Sequence, residues 1–162
     1  MAQNTIKLKK YSDVIEEYEG SGTITPGMLL KMNSSGKVIA HDSAGGNVCP
    51  PMFALENALE GKGIGDNYSS GDRVQVWIPY RGDEVYAILK DGENVSIGDE
   101  LESAGDGSLQ KHTADTVQEG ISGSGEVPIY GNQIVAIALE ALDLSGSSSE
   151  TVSERRIKVK IV

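Results

Sequence analysis

Apolar and polar residues alternate in short runs along this chain, and a turn signal precedes most runs. The clearest case begins at Arg73, where Val74, Val76, Ile78 and Tyr80 alternate with Arg73, Gln75, Trp77 and Pro79. A period of two predicts a strand with one face inward and one outward. Pro79 cannot donate a ladder hydrogen bond, so this strand either lies at an edge or ends there. Arg81-Gly82-Asp83 then turns the chain, and Val85, Ala87 and Leu89 continue the inner face. The phrase glycine, aspartate, any residue, aliphatic recurs at Gly71-Asp72-Arg73-Val74, Gly82-Asp83-Glu84-Val85 and Gly98-Asp99-Glu100-Leu101, with a looser copy at Gly65-Asp66. Glycine reverses the chain cheaply. Aspartate is expected to close the turn by bonding the backbone two residues on. Each copy therefore marks the end of a turn and the start of a strand.

The same reading extends in both directions. Met28 to Met32 and Lys37 to His41 form a predicted hairpin after the Thr25-Pro26-Gly27 turn, joined through Asn33-Ser34-Ser35-Gly36. Val95 to His112 repeats that unit without a gap: Gly27 falls on Gly98, Leu30 on Leu101, Gly36 on Gly107, Val38 on Leu109 and His41 on His112. Two β-hairpins share glycines at similar places without common origin, so both readings of this match stand. Met52 to Leu55 is expected as a strand, followed by a turn or single helical turn. Asp42 to Asn47 and Gly61 to Gly65 are loops, as are Thr113 to Val127 and Ser145 to Ser149. Ile134 to Leu142 is the most apolar run. It is read as a strand covered on both faces, with a buried helix as the competitor. At the end of the chain Ile157, Val159 and Ile161 face one way, and Arg156, Lys158 and Lys160 the other. The fold class expected is mostly β: a small barrel or sandwich of short antiparallel strands with little helix. Residues 1–22 read as an extended N-terminal arm, and 23–162 as a single β-domain.

Composition narrows the function. With 14 lysines and arginines against 24 acidic residues, the net charge is −10. Nucleic-acid binding needs a basic surface to neutralise phosphates, so direct nucleic-acid partners are not expected. No run approaches the ~20 apolar residues of a membrane helix, and the first residues contain no apolar leader. Synthesis in a cytoplasm and no membrane partner are the expectations. Aromatic residues make up only 5% of the chain while glycines number 20, which implies a modest core. Association with copies of itself or with a larger surface is therefore expected.

The search for chemistry finds no catalytic constellation. Nucleophilic catalysis needs a base within hydrogen-bond reach of the nucleophile. The two histidines, His41 and His112, are expected as exposed strand-end residues, and Cys49 as a small buried residue. Calcium loops place carboxylates at alternate positions around a glycine, whereas each phrase here carries one aspartate. Gly61-Lys62-Gly63-Ile64-Gly65 lacks the following helix of a phosphate loop. No cofactor, metal or enzymatic activity is expected. The best candidates for contact are the lysine-rich arm (Lys7, Lys9, Lys10, Tyr11) and the basic terminal strand (Arg155, Arg156, Lys158, Lys160). A strand edge can extend a neighbour's sheet through main-chain bonds.

Set in order, the motifs resemble the capsid decoration, or cement, proteins of tailed bacteriophages. The resemblance is carried by Ile24-Thr25-Pro26-Gly27, Gly36-Lys37-Val38, Phe53-Ala54-Leu55-Glu56, Tyr68 to Val74, Arg81 to Ala87, Ile97 to Leu101, Gly105 to Leu109, Val135 to Ala141 and the basic last strand. It spans residues 24–162 and leaves the arm unexplained. It implies a non-enzymatic β-protein on the outer capsid surface of a virion, bridging neighbouring copies of the major capsid protein, and trimeric or dimeric. Gly71-Asp72-Arg73-Val74 also resembles the chaperonin-lid barrels, but the rest of the order fits them poorly. A trimeric nucleotide-processing β-enzyme is the third reading, for which no site motif is found.

Overall fold

A computed structural model of the chain describes residues 3–11, 13–113, 134–146 and 150–162. The loop expected at Thr113 to Val127 lies almost wholly outside these residues, as does part of that at Ser145 to Ser149. The described residues form thirteen strands and one short 3-10 turn. The strands are β1 Lys7–Lys9, β2 Ile15–Glu19, β3 Leu29–Met32, β4 Val38–Ala40, β5 Met52–Ala54, β6 Arg73–Trp77 and β7 Glu84–Ile88. They continue with β8 Asn94–Val95, β9 Glu100–Ser103, β10 Leu109–Lys111, β11 Ile134–Ala138, β12 Leu142–Asp143 and β13 Arg156–Ile161. A five-stranded sheet has the order β2-β6-β5-β3-β4, a six-stranded sheet β1-β7-β13-β11-β9-β10, and β12 pairs with β8. Every named strand pair is antiparallel, and no sheet closes into a barrel. The architecture is sandwich-like.

The partial repeat seen in the hairpins runs through the whole body. Leaving out β1, the two large sheets have the same order, with β2 matching β7, β6 matching β13, β5 matching β11, β3 matching β9 and β4 matching β10. Registers match as well: Leu30 opposes Ala40 as Leu101 opposes Lys111, and Phe53 opposes Trp77 as Ile137 opposes Lys160. Tyr18 opposes Val74 as Ala87 opposes Ile157. Even bonds between elements recur. Gly20 N–H donates to Asp72 O at 2.9 Å, and Leu89 N–H to Arg155 O at 2.7 Å. Parallel bridges Gly20–Val38 and Leu89–Leu109 curl both sheets alike. The chain is two copies of one strand plan.

Burial explains the sequence of the first copy. Leu30, Val38, Met52, Ala54, Val74 and Val76 form a small core with Ile24 and Tyr68 on one face of its sheet. Leu29, Phe53 and Trp77, on the opposite face, enter the larger core with Val85, Ala87, Leu101, Ile157 and Val159 of the second copy. This corrects the one-sided reading of β6: Trp77, on its supposed outer face, is fully buried. Pro79 marks the end of β6, which lies between β2 and β5 and is not an edge. Met52 to Leu59 resolves into β5 and the 3-10 turn Ala58–Glu60. Ile134–Ala138 is a strand, with Val135, Ala136 and Ala138 buried.

The first 22 residues contribute strands to both sheets. β1 pairs with β7, and β2 pairs with β6 over Ile15 to Glu19. Beyond strand pairing, Thr5 Oγ1 and Ile6 N–H both donate to Glu56, and Ile6 is completely buried.

Candidate interaction surface

The turns place everything else. Gly27, Gly71, Gly82 and Gly98 have φ of 91°, 94°, 93° and 90°. The residue after each donates its N–H back to the carbonyl three positions earlier (Met28 to Thr25, Asp72 to Ser69, Asp83 to Tyr80, Asp99 to Ser96). That is the type II turn, whose third position needs a positive φ. Gly107, with φ 83°, serves the β9–β10 hairpin. The aspartates act differently from expectation. Their carboxylates reach backward, accepting the N–H of Ser69, Tyr80 and Ser96 at 2.8, 2.7 and 2.8 Å. Having bonded its own backbone N–H to that residue's carbonyl, each aspartate also binds that residue's amide. Forward bonds across two residues occur at Asp106 and Asp143 instead.

Asp83 goes further than its relatives. It is fully buried, and its second oxygen accepts the Tyr11 N–H at 2.5 Å. One turn residue thus anchors the end of the N-terminal segment to the start of β7. No feature of the phrase distinguishes Asp83 from Asp72; the difference comes from what folds over it.

The structure brings most of the basic contact candidates together. β1, β7 and β13 are neighbours, so Lys9 and Lys160 converge on Glu84 at 3.8 and 3.7 Å. Lys158 pairs with Glu140 at 3.1 Å, Lys7 with Asp13 at 3.2 Å, and Lys10 also meets Asp13. Tyr11 is 70% exposed beside Lys9, whose Nζ lies 5.4 Å from the ring centroid. Tyr11, with Glu84, raises the Lys9 pKa above its usual value. The result is a row of cations with an exposed aromatic across β1, β7 and β13, in a protein that is acidic overall. Arg155 and Arg156 do not extend the row. Arg156 is buried, and its Nη2 donates to Ile64 O at 2.6 Å. Burial pulls its pKa down from the ordinary arginine value. Arg155 Nε is buried with no partner among the described residues.

The histidine and cysteine readings are reversed. His41 is buried: Nδ1 lies 2.7 Å from Ser103 Oγ and Nε2 3.3 Å from Asn47 O. Desolvation lowers its pKa. His112 Nδ1 lies 2.6 Å from Glu102 Oε2, half-buried. The histidines thus contact successive residues of β9, and β9 separates them. Cys49 is exposed, where the sequence suggested burial. Among the described residues no three His, Cys, Asp or Glu side chains gather as metal ligands.

A cavity of about 530 Å³ opens within the curl of the first sheet. Tyr18, Leu30, Met32, Met52 and Ile78 line it, Glu16 stands at its rim, and the segment around Val48 and Cys49 forms a wall. Pattern reading of the sequence missed it, because it exists only where β2, β3, β5 and the 47–50 segment come together.

No family model and no curated protein sequence matches the chain. Among solved structures, the chain is similar to the N base of head fiber gp8.5 in bacteriophage phi29, with a TM-score of 0.53 at 14% identity. The match covers 93% of this chain and 95% of that one. It extends the likeness in fold over nearly the full length of both molecules.

Proposed function

We propose that this chain is a structural protein of a tailed-phage head, seated on the outer capsid surface. There it bridges neighbouring copies of the major capsid protein. The observation that carries the reading is the shared fold, over nearly all of both chains, with the base of a phage head fiber. The row Lys9, Lys158 and Lys160 with Tyr11 supports it as a contact surface on an otherwise acidic body. An exposed tyrosine is among the usual anchors of protein interfaces. In this reading the chain associates with copies of itself as a trimer or dimer, performs no reaction, and needs no cofactor.

Co-sedimentation with purified heads tests it. Stoichiometric binding is expected, weakened by the double substitution Lys9→Glu with Lys160→Glu. Failure of the chain to bind heads, or its absence from purified virions by mass spectrometry, refutes the proposal. Bridging is tested separately: heads carrying the protein should withstand more heat or chelator before releasing DNA than heads without it. Equal resistance leaves a head-surface protein that does not bridge.

A further inference from the structure

The two copies of the strand plan differ at one edge. In the second copy, β1 lies along the outer edge of β7, where Tyr86 N–H donates to Ile6 O at 2.9 Å. Ile88 N–H, also on that edge, donates to Gly27 O at 3.3 Å. The matching edge in the first copy belongs to β2; among the described residues no strand pairs with it from Ile15 to Glu17, while past Glu19 it meets β4 through the Gly20–Val38 bridge, and Lys37 pairs with Glu19. Gly20 N–H donates to Asp72 O, and Val14 O accepts Ile78 N–H. Alternation along the ladder therefore turns the amides of Ile15 and Glu17 toward the open side, and that of Glu19 toward the end where Val38 closes on the strand. Glu17 and Glu19 hold the places of Tyr86 and Ile88. Exposed edges of this kind template further pairing.

Side chains say what pairs there. The strand that covers β7 carries Lys7 and Lys9, and Lys9 reaches Glu84 on β7 itself. β2 is more acidic than β7: Glu16, Glu17 and Glu19 are three of its five residues. Two β2 edges from separate copies would set glutamates against glutamates, which opposes self-pairing. The cavity adds a second determinant. Glu16 and Tyr18 belong both to β2 and to the cavity lining, so a strand added beside them places a side chain at its mouth. In the second copy the matching positions, Val85, Ala87 and Ile161, are buried in the core. Lys31, paired with Asp42, and His41 also line the cavity, so a long aliphatic stem ending in a cation suits its side formed by Tyr18, Met52 and Ile78 beside the Glu16 carboxylate.

We propose that the open edge of β2, with the cavity beside it, is a docking site for an extended lysine- or arginine-bearing segment of a second, different protein. The segment adds as a strand through main-chain bonds, and one basic side chain lies over Glu16 with its stem in the cavity. This site is distinct from the cationic row and does not depend on the head-surface reading.

A fluorescent peptide with the sequence of residues 3–11 serves as the probe, since that segment already covers the matching edge. The control peptide has its lysines replaced by glutamate. The basic peptide is expected to bind and to slow amide exchange at Ile15 and Glu17. Glu17→Lys should weaken binding at least tenfold, and added salt should weaken it further. Met32→Trp, which fills the cavity mouth, should weaken binding several-fold and leave the melting temperature unchanged. Equal binding by the glutamate control overturns the proposal. So does protection confined to β7, or no protection of β2 at millimolar peptide. Concentration-dependent self-association abolished by Glu17→Lys also overturns it, by showing a second copy as the occupant. Head co-sedimentation of the Glu17→Lys protein separates the two readings: loss of peptide binding with intact head binding supports this site as separate from the head contact, whereas peptide binding undiminished by Glu17→Lys refutes this site alone.

Discussion

Asp72 and Asp83 occupy the same place in the same turn, so replacing each by alanine isolates the effect of burial. Asp72 is part-exposed and accepts one turn amide, from Ser69 at 2.8 Å. Water replaces that bond when the carboxylate is removed, and the loss should be about 0.5–1.5 kcal/mol. Asp83 is fully buried and accepts two amides, from Tyr80 at 2.7 Å and Tyr11 at 2.5 Å. Hydrogen bonds to charged groups contribute roughly 1.5–3 kcal/mol each, and removing a buried acceptor leaves its donors unsatisfied. Asp83→Ala should therefore cost about 3–5 kcal/mol, or roughly 6–20 °C in melting temperature for a chain of this length. Urea unfolding followed by the emission of Trp77, a fully buried reporter, measures both variants. Asp83→Ala should lower the midpoint with the slope unchanged. It should also speed proteolysis ahead of Val14, because the anchor of the N-terminal segment is gone. Equal losses for Asp72→Ala and Asp83→Ala, within about 0.5 kcal/mol, refute the claim that burial makes the difference.

Three further outcomes follow from the geometry. Gly27 and Gly98 hold matching turn positions, but a Cβ on Gly27 would sit 2.5 Å from Arg156 Nη1 and 3.0 Å from Tyr86 O, while one on Gly98 meets open space. Gly98→Ala should cost about 1–2 kcal/mol from the left-handed backbone alone, and Gly27→Ala clearly more; calorimetry showing equal losses contradicts this. Burial lowers the His41 pKa, so the unfolded chain takes up the proton first as pH falls. The stability His41 contributes is present above its unfolded value near 6.5 and declines below it, and His41→Gln should flatten urea midpoints between pH 7.5 and 5.5; an unchanged slope contradicts the assignment. Phe53→Ala, at a residue with no exposure in the larger core, should cost about 3–5 kcal/mol by urea unfolding.

Much of the strand plan was readable because it depends on neighbours in sequence. Val74 and Val76 alternate whatever lies above them, and a Gly-Asp pair makes its turn from its own backbone. The matched hairpins at Gly27 and Gly98 held a structural repeat, yet only the hairpins themselves were visible in the sequence. β2 carries glutamates where β7 carries Val85, so composition hid a correspondence that register reveals. His41, Cys49 and Arg156 were misplaced because a polar residue's burial depends on distant partners. His41 is covered because Ser103 lies 62 positions away in sequence and 2.7 Å away in space. The cavity and the open β2 edge left no local trace.

The sequence alone determined that this protein is built of short antiparallel strands, where most strands after residue 22 begin, and that its charge is negative with basic residues toward both ends. These follow from backbone preference and period, which act over a few residues. Tertiary structure decided which of two equivalent aspartates is an anchor, which lysines share one surface, and which of two matching edges stays open. Those outcomes depend on packing between residues far apart in the chain, where burial and geometry, not residue type, set the energy.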